Sequence, residues 1–363
     1  MEQDKNLTNR AEQLQFLRFA AFLVIFSWHA DKYVPYWFPH GDGALNAVVF
    51  FFILSGVVTG YSIYDREIVF SVSATKQYFL RKIKKVYPLY FITTIFAVIY
   101  SDLPAYIANY DYRSAMITFS QLIKNLLLLQ SWFPVGYYSF NGVGWFLSTL
   151  MFLYLLHVPL SACMTGIGKK KNWRLITGGI FCVTVGLIVL YCYALRGTNA
   201  EFTEYIFPPS RLGEYICGLC IGYNVRSVIQ KIPSDGIYKI IFSCAEIVAI
   251  IVWIASMYQP IVSWHVKIVH WLFPNLLLLT VFTFGKGIIS DLFKISFLRH
   301  LGDITFECFL IHQMVIYEYV VNAGVGGTSK SGKLFSLAFC LMTTLLLAEA
   351  VKRSQTKNFF LSV

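Results

Sequence analysis

Two side chains that are costly to bury sit in one apolar stretch near the start of the chain. The segment LQFLRFAAFLVIFSWHADKY, residues 14–33, carries Arg18 and His29. They are eleven residues apart, and eleven steps of about 100° make roughly three helical turns. Both side chains therefore project from one face, roughly 16 Å apart along the axis. A charge in an apolar membrane helix costs roughly 2.5–3.5 kcal/mol on insertion scales, so a polar group there is a candidate for function. A histidine with its ordinary pKa of about 6.5 can take a proton from a hydroxyl and return it, as acyl transfer to an alcohol requires. Arg18 has a second explanation, snorkelling to the lipid headgroups.

Other polar groups recur in apolar surroundings. In VVFFFILSGVVTGYS, residues 48–62, Ser55 is a candidate lining residue, and Gly56 and Gly60 form a GxxxG that lets another helix approach closely. The run FLRKIKKVYPLYF holds Arg81, Lys82, Lys84 and Lys85 at the inner end of an expected third span. It reads either as a topology anchor or as a grip for a phosphorylated cytoplasmic ligand. Pro88 in the same run is expected to kink the helix. Trp145 lies in GVGWFLSTLMFLYLL. Arg211 and Glu214, at i, i+3, open SRLGEYICGLCIGY, where they read as an ion pair at the outer rim. Gly218 and Gly222 follow as a second GxxxG. Asp303, Glu307 and His312 fall in LGDITFECFLIHQMVIY, with Asp303 and Glu307 expected on one face of a single helix. Three ionisable groups in one span imply a polar interior. Glu246 and Glu349 are isolated enough to read as packing partners.

These residues need apolar elements to hold them, and composition supplies those. The 363-residue chain is 57% hydrophobic and only 13% charged, where a soluble globule would carry about a quarter charged residues. The expected fold is an all-α integral membrane protein, a bundle of about ten transmembrane helices in a single domain over residues 1–363. The expected spans are 14–34, 45–64, 82–100, 143–164, 175–195, 212–229, 237–258, 267–285, 303–322 and 335–352. Placing the N-terminus inside puts 21 Lys and Arg residues on the cytoplasmic side. Eight remain outside: Lys32, Arg113, Lys124, Arg196, Arg211, Lys267, Lys330 and Lys333. That asymmetry follows the positive-inside rule with both termini cytoplasmic. The net charge of +11 is thus topological, and nucleic acid is not an expected partner.

Residues 101–142 form the longest non-cytoplasmic loop, rich in aromatic side chains. Its piece SQLIKNLLLLQSW at 120–132 suits a re-entrant or interfacial helix. The eight cysteines read as small buried packing residues. The CxxC of Cys217 and Cys220 has no second ligand pair, so no metal is expected. The first apolar run is followed by no cleavage pattern and reads as a spanning helix, not a signal peptide.

Taken in order, these stretches resemble the acyltransferase-3 family. The resemblance rests on Arg-x10-His in the first helix, FFFILSG in the second and the basic run ending in YPLYF in the third. It continues with WFL-x-x-L-x-x-x-Y, RL-x-E-Y-x-x-G-x-x-x-G and LG-x-x-T-F-x-x-x-L-I-H. It implies transfer of an acyl group, most often acetyl, from a cytoplasmic donor such as acetyl-CoA to a hydroxyl of a cell-surface polysaccharide or its lipid-linked precursor. His29 matches the family's essential histidine, Arg18 its paired arginine, and Arg81 a basic position facing the donor's phosphates. Trp145 matches too, but this chain has Leu150 where many members carry a glutamate. Arg211, Glu214, Gly302 and His312 fit weaker motif positions. No soluble esterase-like domain is appended.

The resemblance places the chain in a bacterial cell membrane, with acyl-CoA as donor substrate and no permanently bound cofactor. Membrane lipids surround it, and glycan-assembly proteins are possible partners. His29 acts either as base or as transient acyl carrier. The competing classes are a multi-span transporter of a small anion or lipid-linked glycan, and a structural subunit that uses buried charges for assembly.

Overall fold

The computed structural model describes residues 11–31, 43–102, 112–195, 199–258, 264–318 and 329–361. Its ordered elements are helices, with no strand among the described residues. In chain order they are α1 (Gln13–Asp31), α2 (Gly43–Ile63), α3 (Val72–Ala97), α4 (Tyr112–Leu126), α5 (Gly144–Gly168), α6 (Trp173–Ala194) and α7 (Leu212–Val228). There follow α8 (Gly236–Ala255), α9 (Trp264–Phe284), α10 (Ile288–Phe293), α11 (Ser296–Asp303), α12 (Thr305–Ile316) and α13 (Lys330–Leu361). Seven of these, α2, α3, α5, α6, α8, α9 and α13, are long and apolar enough to cross a bilayer. The chain is a multi-pass membrane protein.

The other three expected spans are less regular. Gln13, Gln15, Arg18, Ser27 and His29 dilute the apolar content of α1, and α7 is only 17 residues long. The expected span at 303–322 is interrupted near its start, and its residues 319–322 lie outside the described residues. α11 ends at Asp303 and a new helix, α12, covers only Thr305–Ile316. Asp303 is therefore exposed at a break, while Glu307 is buried, and the two do not share a face of one helix. α3 begins ten residues earlier than expected. Ser71 caps it by accepting the Ala74 amide at 3.0 Å, a signal that hydropathy cannot see. The basic run at 81–85 thus lies within a continuous helix that also contains Pro88, not at its inner end.

In the long loop, α4 covers Tyr112–Leu126, earlier than the piece expected at 120–132. It exposes Met116, Phe119 and Ile123 at helical spacing and buries Asn125, as suits a helix lying at the membrane surface. Leu128 ends the helical path in the left-handed region, φ 54°. Its carbonyl accepts the Ser148 hydroxyl at 2.7 Å, which pins the turn. Tyr106 and Tyr110, expected in the aromatic loop, lie outside the described residues.

The chain divides into two compact units, each built from discontinuous pieces. The first comprises residues 11–21, 43–80 and 152–302. At its centre α2 and α7 meet backbone to backbone. A Cβ on Gly56 would fall 2.0 Å from the Tyr215 carbonyl, and on Gly60 2.1 Å from that of Leu219. On the facing helix, Gly218 and Gly222 would strike the carbonyls of Ile53 and Val57, each at 2.0 Å. The two GxxxG pairs therefore face each other. Around this pair, buried polar groups find partners. The Asn275 amide donates to the Asn46 side-chain oxygen Oδ1 at 2.5 Å, and Asn46 donates to the Ser256 hydroxyl at 2.9 Å. Trp253 donates to Asn275 at 2.8 Å. Glu246, fully buried, caps α10 from a distance, accepting the amides of Gly287 at 3.0 Å, Ile289 at 3.0 Å and Ser290 at 3.2 Å. Its acidity serves a helix N-terminus.

The second unit comprises residues 22–31, 81–151 and 303–361, with α12 packed on α13. Tyr90 is buried, its hydroxyl donating to the Asn125 carbonyl at 2.9 Å and accepting from Gln130 at 3.2 Å. Lys352 of α13 reaches Glu307 of α12 at 3.2 Å and the Asp303 carbonyl at 3.0 Å.

The eight cysteines are free thiols, but Cys163, Cys182 and Cys244 are exposed rather than buried. On apolar helices that face lipid, this exposure is to hydrocarbon.

The glycine contact sets a sharp test. Gly218→Val is expected to force α2 and α7 apart and cost about 1–3 kcal/mol or more. Gly186→Ala, whose new Cβ meets nothing within 4 Å, is expected to be neutral. Thermal unfolding in detergent reads both; equal midpoints would refute the assignment.

Candidate functional site

The second unit gathers a polar cluster around His29. Phe22 and Phe26 of α1 wall in His312 of α12, with ring centroids 5.5 and 6.3 Å away. The His29 and His312 rings lie 5.1 Å apart. His312 is fully buried. Its Nδ1 lies 2.8 Å from the Phe309 carbonyl and 3.3 Å from that of Cys308. Carbonyl oxygens only accept, so Nδ1 carries the proton and Nε2 is left as an acceptor. That Nε2 has no hydrogen-bond partner among the described residues.

His29 is only half-buried, so its ring remains reachable. Its Nδ1 is 3.3 Å from the side-chain amide nitrogen of Gln313. Gln313 is in turn confined by the chain at Gly142, where a Cβ would come within 3.1 Å of its oxygen. Next to Gly142, Asn141 donates to the Thr93 hydroxyl at 2.9 Å and to the Leu310 carbonyl at 3.2 Å. The oxygens of Gln313 and Asn141 carry no partner among the described residues. Three buried acceptors without donors, in one small region, make a place where a hydroxyl-bearing ligand is favoured over an empty apolar core.

Trp145 is buried in this unit, and its carbonyl accepts the Ser131 hydroxyl at 2.7 Å. Its neighbour Phe146 meets Phe309, which packs on His312. Leu150, also buried, offers no acid. Arg81, Lys84 and Lys85 are exposed and Lys82 is half-buried; Arg81 and Lys84 pair with no acid among the described residues.

The remaining sequence candidates fall in the first unit. Arg18, half-buried, donates to Gln15 at 3.2 Å. The hydroxyl of Ser55 returns to the Phe51 carbonyl at 2.8 Å, a local bond within its own helix. Arg211 and Glu214 are not at a rim, as expected, but fully buried, 2.5 Å apart. Arg211 also donates to the Tyr205 carbonyl at 2.8 Å and lies over the rings of Tyr205 and Phe52. Beside it Glu204, in the turn that precedes α7, is buried. Burial pushes its carboxyl up to about 7, with Arg211 acting in the opposite direction.

Sequence reasoning passed over Gln313, Asn141 and His157. His157 of α5 stacks on Tyr78 at 3.9 Å and lies 3.2 Å from the Tyr215 hydroxyl, which donates to Thr59 at 3.1 Å. Gln313 stands beside His312 in sequence, a position that does not reveal its contact. The partner it serves, His29, is 284 residues away in sequence.

The described residues form a helical, multi-pass membrane protein with a half-buried histidine beside a buried polar cluster. A family model described as an acyltransferase domain matches residues 12–349. The chain belongs to the acyltransferase-3 family and is a membrane acyltransferase. It is 24% identical over 375 residues to "Acyltransferase MdmB" of Streptomyces mycarofaciens, an alignment covering 96% of this chain and 91% of that one. No solved structure matches.

The contact between Gln313 and His29 makes a graded prediction. Gln313→Leu keeps the volume but removes the amide. It is expected to lower kcat about two- to tenfold, the worth of one net hydrogen bond of roughly 0.5–1.5 kcal/mol. Unchanged kcat in steady-state acyl-transfer assays would remove Gln313 from the site.

Proposed function

We propose that this protein moves an acyl group, acetyl in the first instance, from a cytoplasmic acyl-CoA to a hydroxyl of a cell-surface polysaccharide or its lipid-linked precursor. It does so from a bacterial cell membrane, with both termini cytoplasmic. The observation that carries this reading is His29, half-buried, with a side-chain amide at its Nδ1 and a second histidine beside it.

His29 acts as general base. With the Gln313 amide nitrogen toward Nδ1, as placed, neutral His29 holds its proton on Nε2. Turning the amide over puts its oxygen there instead, moves the proton to Nδ1 and makes Nε2 the accepting nitrogen. Nε2 then takes the proton of the acceptor hydroxyl as its oxygen attacks the thioester carbonyl. The tetrahedral adduct collapses, the carbon–sulfur bond breaks, and the coenzyme A thiolate recovers the proton from His29. Acyl ester and free thiol are the products, and His29 is regenerated. Arg18 and the basic residues Arg81, Lys82, Lys84 and Lys85 serve the anionic donor.

The test is mass spectrometry of surface glycans from cells with the protein, without it, and with His29→Ala, alongside transfer from labelled acetyl-CoA in isolated membranes. Loss of a general base is expected to cost at least about 100-fold. Normal transfer by a fully expressed His29→Ala protein would overturn the role, and a trapped acyl-imidazole would replace base catalysis by covalent transfer.

A further inference from the structure

Within the first unit, α6, α7 and α9 leave a slot between them that no side chain of their own fills. Its volume is about 470 Å³, within the size range of ligand sites, and its walls are almost entirely apolar. Phe181 and Cys182 of α6, Cys220 and Ile221 of α7, and Thr280 and Phe284 of α9 line it.

α6 and α7 run antiparallel along the slot. Asn224 donates to Thr177 at 3.0 Å, and a Cβ on Gly213 would fall 2.7 Å from Ile188. Arg174 therefore stands at the same end as Ser227 and Val228, while Cys182 and Cys220 lie at the other. From Arg174 to Cys182 is eight residues, about 12 Å at 1.5 Å per residue, close to half of the roughly 30 Å hydrocarbon core. The slot is thus one leaflet deep.

Its mouth is cationic. Arg174 is exposed, rests on the Trp173 ring at 5.2 Å and pairs with no acid among the described residues. Lys170 and Lys171, one turn away, are also exposed. The acids of this end are engaged elsewhere, Glu67 with Lys169 and Asp65 with Arg226. The polar groups just inside satisfy one another, since Thr177 and Asn224 bond mutually, so the slot itself asks for no hydrogen bonds. A cation at headgroup depth above a dry apolar channel complements one molecule of that leaflet: an anionic headgroup with a hydrocarbon chain below it.

We infer that the slot between α6, α7 and α9 binds an anionic diacyl phospholipid, its phosphate on Arg174 and one acyl chain running past Gly178 to Cys182. The site is independent of the acyl-transfer reading and needs no turnover to be tested. Gly178 lies on the slot wall, and a Cβ built on it meets nothing within 4 Å. Gly178→Phe therefore fills the space without displacing the fold, and Arg174→Gln removes the charge at the mouth.

The full-length protein in lipid-free micelles would be titrated with phosphatidylglycerol or phosphatidylcholine. Retained lipid would be counted by native mass spectrometry, and the thermal midpoint recorded. The wild type is expected to prefer phosphatidylglycerol about fivefold, the effect of one cation at an anionic surface. Arg174→Gln is expected to lose that preference, and Gly178→Phe to lose retention of both lipids. Phosphatidylglycerol should also slow maleimide labelling of Cys182 while leaving the exposed Cys163 and Cys244 unaffected. Equal retention of the two lipids by the wild type would overturn the proposal. So would unchanged retention in Arg174→Gln, or labelling of Cys182 indifferent to lipid.

Discussion

Four glycines let α2 and α7 meet backbone to backbone. Gly56 and Gly60 on α2, and Gly218 and Gly222 on α7, each lie where a methyl group would overlap a carbonyl oxygen of the facing helix. In lipid there is no hydrophobic gain from bringing two helices together, because the surrounding chains are as apolar as leucine. What remains is dispersion over a matched surface, and that falls off steeply with a gap of even 1 Å. The glycines maximise it along two turns of each helix. Much of the first unit follows from the contact. It sets Tyr215 against Thr59, and it brings Phe52 beneath the guanidinium of Arg211.

Polar groups in this protein divide by how fully they are satisfied. Glu246 accepts three amides and a hydroxyl at the start of α10, and Asn46, Ser256, Trp253 and Asn275 form a linked set. Such groups hold helices in register and leave nothing for a ligand. Around His29 the balance is different. Nε2 of His312 and the side-chain oxygens of Gln313 and Asn141 are buried acceptors without donors among the described residues. Each such atom costs about 1–3 kcal/mol if it stays unmet. Several in one place are sustained where a substrate supplies the missing hydrogens. The Arg211 cluster is a mixed case: Arg211 and Glu214 neutralise each other, while Glu204 escapes the cost by the raised pKa of its carboxyl.

Much of this was legible from residue types. Apolar runs located the seven long spans to within a few residues, except where a polar helical extension adjoined one, before α3 at Ser71–Arg81 and after residue 352 in α13. Each GxxxG announced a close approach, but periodicity says only that a helix has a bare face, not which helix meets it. The pairing of Gly56 with Tyr215 needed the fold. Likewise Asp303 and Glu307 have helical spacing in sequence, and the break between α11 and α12 undoes it. Gly302 sits at that break, where a Cβ would fall 2.1 Å from the Gln15 carbonyl. His29 was legible because a charge-capable ring in an apolar run is expensive. Gln313 was not, since an uncharged amide one residue after a histidine gives no sign of its remote partner.

The two histidines of the second unit are chemically distinct although their rings are neighbours. His312 is fully buried, and two carbonyls hold its Nδ1–H, so its tautomer is set by the backbone. A ring so fixed can accept at Nε2 but cannot relay a proton without breaking its own hydrogen bond. At Nδ1, His29 meets a side-chain amide, which offers a donor or an acceptor according to which way it is turned. The hydrogen bond at Nδ1 can therefore reverse its direction by one amide rotation, with no backbone movement. A residue that must take a proton in one step and return it in the next needs that freedom. The amide at Nδ1 of His29 allows such a reversal where the two carbonyls at His312 do not, and His29 is the less buried of the two rings.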